Sequence, residues 1–326
     1  MSRIARFAWA VLAGNVAVIL WGSFVRATGS GAGCGGHWPT CNGDVVPRAP
    51  SIATLIELSH RATSGLAFIA VMLLGVLVLV TTRETTGDTR PPHPARATAV
   101  VAMALMCGEV AIGAMIVLLG KVALDPSLMH GVFTELHAGN TFLLLAALTL
   151  TAHHLGGAPR LRFEGRGPVV LSLGQAFAGL ALTVGSGAIA ALGDTLFPSH
   201  SLREGFEQDL SPGAHMFLHL RTLHPLLAVV AFVLVIGACT SLRARDDVPA
   251  AGRTLAGWVM VAVSTQMVVG VMNLWLLVPI PTQMLHLAFA DVVFILLVLT
   301  TGHALGETAA SGATPSAHAV ATVPVG

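Results

Sequence analysis

The sequence predicts an all-α integral membrane protein whose eight transmembrane helices form two pseudo-symmetric four-helix bundles. The first observation is composition: 54% of the 326 residues are hydrophobic and only 10% are charged. A soluble domain carries about 25% charged residues, so this chain lacks the charge needed to cover a surface that faces water. The second observation is a series of long apolar runs, and the third is a repeated placement of histidines within them.

The apolar runs are long enough to cross a membrane as helices. A spanning helix needs about 20 apolar residues, whereas a strand of a membrane barrel needs about half as many. The first run follows a short segment with Arg3 and Arg6, and its length favours a start-transfer helix over a cleaved signal peptide. The predicted helices cover about residues 8–26, 60–82, 97–119, 132–153, 169–192, 216–240, 255–278 and 284–305.

The positions of arginine predict how these helices are oriented, because cytoplasmic loops are enriched in Lys and Arg. Loops on one side carry only Arg48, Lys121 and Arg203, so the other side and both termini are predicted to be cytoplasmic. The formal net charge of +1 gives no basic face for nucleic acid. The arginines on the predicted cytoplasmic side are Arg3, Arg6, Arg83, Arg90, Arg96, Arg160, Arg162, Arg166, Arg243, Arg245 and Arg253.

Two segments of the first half recur in the second half. Glu109-Val-Ala-Ile-Gly-Ala-Met matches Gln266-Met-Val-Val-Gly-Val-Met, and Thr28-Gly-Ser-Gly matches Val184-Gly-Ser-Gly at nearly the same offset. Corresponding segments in two halves indicate an internal duplication. The predicted units are an N-terminal bundle over residues 1–155, a C-terminal bundle over 156–306 and a disordered Ala/Thr/Pro-rich tail over 307–326.

Four histidines lie in the even-numbered predicted helices, with His60 corresponding to His224 and His137 to His286. An ionisable side chain inside a membrane helix is costly and is therefore a functional candidate. Neutral imidazole binds heme iron, and two facing helices can each supply one ligand. The pattern predicts one bis-histidine heme in each half. Interhelical hydrogen bonds and zinc or copper sites are the alternatives.

The loop between the first two helices carries a cysteine pair and leads to a carboxylate near His60. Cys34 and Cys41 enclose six residues on the predicted outer side, where disulfides persist, so a structural staple and a redox-active pair are both open. Glu57 precedes His60 by three residues, which places both side chains on one helix face. Glu57 is the candidate catalytic group, with an ordinary acid at a helix N-terminus as the alternative.

Three arginines near the predicted outer ends of helices are candidate contacts for heme propionates. They are Arg26, Arg61 and Arg221; Arg61 directly follows His60, and Arg221 precedes His224 by three residues. A guanidinium group pairs with a carboxylate through two parallel hydrogen bonds, which suits this role.

These motifs together resemble the heme A synthase family. The resemblance covers nearly all eight predicted helices, up to about residue 305, and is most specific in the first loop and the Glu-x-x-His-Arg motif. The matching segments are Val25-Arg26-Ala-Thr-Gly-Ser-Gly-Ala-Gly-Cys34, Trp38-Pro39-x-Cys41, Glu57-x-x-His60-Arg61, Glu135-Leu-His137, Leu220-Arg221-Thr-Leu-His224-Pro and Gln283-x-x-His286.

The resemblance implies oxidation of the C8 methyl group of heme O to a formyl group, which yields heme A for terminal oxidases. It implies that the N-terminal half holds the substrate heme O between His60 and His137. The C-terminal half would hold heme b as the cofactor, with His224 and His286 as its axial iron ligands.

The resemblance also implies that Glu57 is the catalytic carboxylate and that Cys34 and Cys41 are the family's outer-loop pair, in a bacterial plasma membrane. The expected partners are a heme O synthase and an electron acceptor of the membrane, with a homo-oligomer as an open alternative. The chain departs from the family in three places. Gly35-Gly36-His37 occupies a stretch where an acidic residue is common. Residues 193–215 lack the second cysteine pair of some members, and Pro225 stands where an arginine is common.

Two other classes of protein also account for membrane histidines. A diheme b-type electron-transfer protein linked to quinone would use the same four ligands. It does not explain why Glu57 and the cysteine pair occur in the first half alone. A transporter or assembly factor with hydrogen-bonded histidines and no cofactor is the third alternative.

Overall fold

The computed structural model describes residues 1–82, 91–122 and 124–307 and confirms the all-α prediction. Arg83, Arg90 and the predicted tail from residue 308 onward lie outside the described residues. Eight apolar helical spans in the described part make the chain a multi-pass membrane protein, with α7 and α8 joined in one span. The helices are α1 (Arg3–Ala27), α2 (Ile52–Thr81), α3 (Ala95–Leu118), α4 (Leu128–Leu155), α5 (Gly167–Leu196), α6 (Leu202–Leu210), α7 (Met216–Arg221), α8 (Leu223–Arg243), α9 (Ala250–Trp275) and α10 (Ile280–Ala304).

Serine caps set where several helices begin, including α2. The Ser51 side chain accepts a hydrogen bond from the Thr54 N–H, which satisfies a backbone donor that the first turn leaves unpaired. The prediction that this helix begins near residue 60 was wrong, because polar residues interrupt the apolar run there. Glu57 and His60 therefore both lie within α2, and the predicted shared face is retained.

The helices pack around two apolar cores. The first core joins α1, α2, α3 and α4 through side chains such as Leu12, Leu74 and Leu145. The second core joins α5, α8, α9 and α10 and includes Leu242. Helix α10 serves both cores, because Phe294 packs into the first one. Helix α4 contacts both α5 and α10, so the two groups of helices meet along α4 and α10.

Arg26 ties α1 to the second group of helices. One guanidinium nitrogen donates to the carbonyl oxygen of Ala191 at 2.6 Å and to the Thr195 hydroxyl at 2.7 Å. The other terminal nitrogen donates to Oε1 of Gln283 in α10 at 3.0 Å. Arg26 is largely buried, so these contacts satisfy a charged group that would otherwise be costly to remove from water.

The α7–α8 span is interrupted just before His224. Helix α7 ends at Arg221, and α8 begins at Leu223. Pro225 has no backbone N–H to donate to the carbonyl of Arg221 four residues earlier, which accounts for a break at this point. The corresponding helix of the first half, α2, has Arg61 at the equivalent position and is continuous.

Asp291 in α10 is a fully buried carboxyl group with no hydrogen-bond partner for either oxygen among the described residues. It precedes Phe294 by three residues and therefore shares the face of α10 that packs into the first core. A buried polar group without a partner costs about 1–3 kcal/mol of stability. The sequence analysis did not single out Asp291, because nothing in an apolar run reveals which side chains are left unpaired.

We expect Asp291→Leu to raise the thermal unfolding temperature of the detergent-purified protein. The substitution replaces the unpaired carboxyl with an apolar side chain that branches at the same atom. Removal of the unpaired polar group should stabilise the fold by about 1–3 kcal/mol. Asp291→Asn is the matched control, because it leaves an unpaired polar group and should change the unfolding temperature little. A lower unfolding temperature for Asp291→Leu would show that the carboxyl stabilises the fold.

Candidate functional site

The two predicted histidines of the first half each face a glycine on the preceding helix. A Cβ atom at Gly22 of α1 would lie 2.8 Å from Cε1 of His60, which is closer than side-chain atoms approach one another. A Cβ atom at Gly113 of α3 would lie 3.9 Å from Cε1 of His137. The imidazole of His60 therefore occupies space that only glycine leaves free.

The second half repeats this arrangement. A Cβ atom at Gly187 of α5 would lie 2.9 Å from Cε1 of His224, and one at Gly270 of α9 would lie 2.9 Å from Cε1 of His286. Each predicted ligand thus lies against a glycine of the preceding membrane span. The cysteine loop, residues 28–51, joins the first two spans.

These contacts fix the register of the repeat. Gly113 and Gly270 face equivalent histidines, which supports the match between their two segments. The predicted match of Thr28–Gly31 with Val184–Gly187 was wrong in register. Ser30 begins a short 3₁₀ turn beyond the end of α1, whereas Val184–Gly187 lies inside α5. The residue equivalent to Gly187 is Gly22, since each packs against the first histidine of its half.

The spacing of the second-half pair fits two ligands on one metal ion. The ring centroids of His224 and His286 are 6.3 Å apart, with perpendicular ring planes. A metal–imidazole bond is about 2.0 Å and the ring centre lies about 1.1 Å beyond the nitrogen, so opposed ligands have centroids about 6 Å apart.

The imidazole nitrogens are incompletely satisfied by protein groups. Nδ1 of His60 and Nδ1 of His286 are buried without a hydrogen-bond partner. Nδ1 of His224 lies 3.2 Å from the Ser186 hydroxyl. Buried polar atoms are normally paired, so orphaned ring nitrogens indicate that these sites are built for a further group. The ring spacing of His224 and His286 is compatible with an axial pair on heme iron.

The four predicted ligands form two pairs, one in each half of the chain. Throughout residues 1–82, 91–122 and 124–307, no three His, Cys, Asp or Glu side chains are grouped as a metal ion would require. Heme iron takes four ligands from its macrocycle and leaves two axial positions for the protein, whereas a structural zinc site uses four protein ligands. The observed pairs match the requirement of heme.

His137 has a carboxylate neighbour that the sequence analysis used only to mark the repeat. Nδ1 of His137 lies 2.7 Å from Oε2 of Glu109 in α3, although the direction of approach is not that of a hydrogen bond. Oε1 of Glu109 accepts hydrogen bonds from Asn140 at 2.8 Å and from the Thr141 hydroxyl at 2.9 Å. Glu109 is therefore held in place beside the predicted ligand.

The predicted disulfide is confirmed, and the cysteine loop is anchored to α2. Cys34 and Cys41 are bonded and fully buried. The backbone N–H of Cys34 donates to Oε2 of Glu57 at 2.8 Å. One turn earlier in α2, the Thr54 hydroxyl donates to the carbonyl of Gly33 at 2.8 Å. The disulfide and the carboxylate thus belong to one packed unit.

Arg61 completes this unit. It forms an ion pair with Oε1 of Glu57 and donates to the backbone carbonyls of His37 at 2.6 Å and Thr40 at 2.7 Å. Glu57 is buried and receives donors on both oxygens. A carboxylate has about four acceptor sites, and three donors reach Glu57, so Oε2 retains capacity for one more.

Arg221, the candidate propionate contact of the second half, also has protein partners. Nε of Arg221 donates to Asp209 of α6 at 2.6 Å, and Nη1 donates to Asp194 of α5 at 3.0 Å. Partial burial raises the pKa of the Asp209 carboxyl, and the Arg221 charge opposes that effect. With the contacts of Arg26 and Arg61, all three predicted arginines are engaged by protein groups.

Comparisons with known proteins give a family and several relatives. The family described as cytochrome oxidase assembly protein, COX15-CtaA, matches residues 5–298. Two Thermus thermophilus proteins named protoheme IX farnesyltransferase, each from a different strain, are 44% and 43% identical over 304 residues. The match covers 93% of this chain and 49% of each relative, so the chain spans about half the length of these curated relatives.

A shorter match reaches proteins with a different name. Heme A synthase of Bacillus mycoides is 58% identical over 60 residues, which is 18% of this chain and 19% of that protein. Heme A synthase of Bacillus anthracis gives the same values.

We expect Gly187→Ala to lower the heme content of the purified protein by about tenfold or more, because the new methyl group displaces His224. Gly174→Ala in the same helix is the matched control, since no atom lies within 4 Å of its added Cβ. Gly22→Ala and Gly14→Ala form the equivalent pair in α1. Extracted heme per chain is the measurement. Equal heme content in Gly187→Ala and Gly174→Ala would contradict the ligand assignment.

Proposed function

The chain belongs to the COX15-CtaA family of cytochrome oxidase assembly proteins, and from this membership we propose that it is a heme A synthase, an oxidoreductase that converts the C8 methyl group of heme O to a formyl group. The observation that carries the proposal is the pair of histidines in each half, each seated against a glycine and spaced for an axial pair on iron in the second half. The heme A synthase name of the Bacillus relatives supports it.

The two halves are proposed to have different roles. Heme O binds in the N-terminal half between His60 and His137, and heme b binds in the C-terminal half with His224 and His286 as axial ligands. This division is supported by what surrounds the first pair: the disulfide loop and Glu57 pack beside His60 and have no counterpart beside His224.

The reaction requires an electron route and a place for protons. We propose that water supplies the oxygen: conversion of a methyl group to a formyl group with one water molecule releases four electrons and four protons. When bound, heme b supplies a one-electron carrier toward an electron acceptor of the membrane. Glu57 is buried and held by Arg61 and the Cys34 N–H, so its free acceptor site is fixed in direction. It is proposed to stabilise positive charge on the substrate and to receive a proton.

The proposal includes the membrane orientation of the protein and one partner. The distribution of arginines supports a bacterial plasma membrane orientation with the cysteine loop outside and both termini in the cytoplasm. A heme O synthase is the proposed source of substrate and a partner.

A second candidate is transfer of a farnesyl group to heme, because the Thermus relatives carry that name. Those proteins are about twice as long as the matched segment, so their name need not describe the half that this chain matches. A diheme electron-transfer protein is the third candidate, since it would use the same histidine pairs.

We expect Glu57→Gln to lower heme A production by about a hundredfold or more, the usual effect of removing a general acid or base, while heme b binding persists. The chain is coexpressed with a heme O producer, and the hemes are extracted and separated. Thr54→Val is the matched control, because it removes the neighbouring loop anchor and leaves the carboxylate in place.

The same extraction separates the candidates. Equal loss in Thr54→Val and Glu57→Gln would mean that Glu57 only anchors the loop. Heme b binding without any heme A from the unmodified chain would favour electron transfer alone. Formation of heme O from heme b and farnesyl diphosphate, in cells that lack another source, would favour the prenyl transferase.

A further inference from the structure

The two halves differ in charge at one equivalent position beside the predicted ligands. Glu109 precedes Gly113 by four residues, and Gln266 precedes Gly270 by four residues. Because each glycine packs against the second histidine of its half, Glu109 and Gln266 occupy the same place in the repeat. The first half therefore has a carboxylate where the second half has a neutral amide.

The surroundings of Glu109 are built to hold a carboxylate. Its side chain is 13% exposed, and Oε2 lies 2.7 Å from Nδ1 of His137. Its Oε1 accepts from Asn140 and Thr141, which follow His137 by one turn of α4. With its Nδ1–H directed at the carboxylate, the His137 ring would present Nε2 on its opposite edge. Carboxylate partners of this kind fix the tautomer and orientation of metal-binding histidines.

The second half lacks this arrangement. Nε2 of Gln266 lies 3.4 Å from Nε2 of His286, and Nδ1 of His286 has no partner among the described residues. The positions equivalent to Asn140 and Thr141 are Phe289 and Ala290, which offer no side-chain donor. The difference thus extends beyond one residue, since the donors that hold the carboxylate are also absent.

We propose that Glu109 is a positioning residue that orients His137 and gives the first-half heme site a lower reduction potential than the second-half site. The inference rests on the proposed ligand assignment. Oxidation of heme iron from the ferrous to the ferric state adds one positive charge, and a fixed anionic neighbour stabilises that charge in a weakly polar interior. The neutral amide of Gln266 gives no equivalent stabilisation to the second site.

This difference in reduction potential would set the direction of electron transfer between the two sites. At equilibrium an electron shared between the sites resides on the site of higher potential, which is the second half. Electrons removed from a heme held by His137 would therefore pass toward the heme held by His286, as the proposed division of roles requires.

The test is an equilibrium redox titration of the detergent-purified chain loaded with hemin, followed by absorbance of the reduced heme. His60→Ala identifies the component that belongs to the first half. In Glu109→Gln we expect only that component to move, with a reduced-to-oxidised ratio about tenfold higher at fixed potential, or about 59 mV for a one-electron couple. Gln266→Glu should lower the potential of the other component.

Thr141→Val provides a control that keeps the charge and removes one donor to Glu109; because the carboxylate remains, the first component should move by much less than in Glu109→Gln. An unchanged potential in Glu109→Gln, or equal shifts of both components, would overturn the inference. A titration with no component lost in His60→Ala would instead refute the proposed ligands of the first half.

Discussion

The close packing of each predicted ligand histidine against a glycine is the constraint on which the rest of the site depends. A Cβ at Gly22, Gly187 or Gly270 would come within 3 Å of an imidazole carbon, so each of these rings lies in space that a glycine leaves open. In the second half, the rings placed in this way are 6.3 Å apart, as the pair His224 and His286 shows. Small residues at helix contacts serve this purpose in membranes, where burial from water does not drive association.

Departures from the repeat distinguish the two sites. In the first half, the cysteine loop, Arg61 and Glu57 form one hydrogen-bonded unit on the helix that carries His60, and Glu109 lies beside His137. In the second half, the helix break before Pro225 and a neutral amide take those places. A duplication that kept the ligand geometry and altered the charged groups around it accounts for two sites of the same coordination and different chemistry.

The all-α class and the eight membrane spans of the described residues could be predicted from the sequence, because a span is set by run length and composition. The short helix α6 and the break between α7 and α8 could not. The Cys34–Cys41 disulfide was predicted and is confirmed, whereas the ligand role of the four histidines stays a prediction. The contact between Glu109 and His137 could not be predicted, because it joins two helices whose relative rotation no single segment encodes. The contacts of Arg26 with α5 and α10 join the two halves, and an assignment to propionates from helix position alone could not anticipate them. The register error at Val184–Gly187 arose because short Gly/Ser segments match by composition.

The central claim is that two pairs of histidines each hold one heme iron. Electron paramagnetic resonance of the hemin-loaded chain tests it most directly, since iron with two imidazole ligands gives a low-spin signal. The account predicts two such signals, one lost in His137→Ala and the other lost in His286→Ala. Loss of both signals in either variant, or a single signal that survives both, would contradict it.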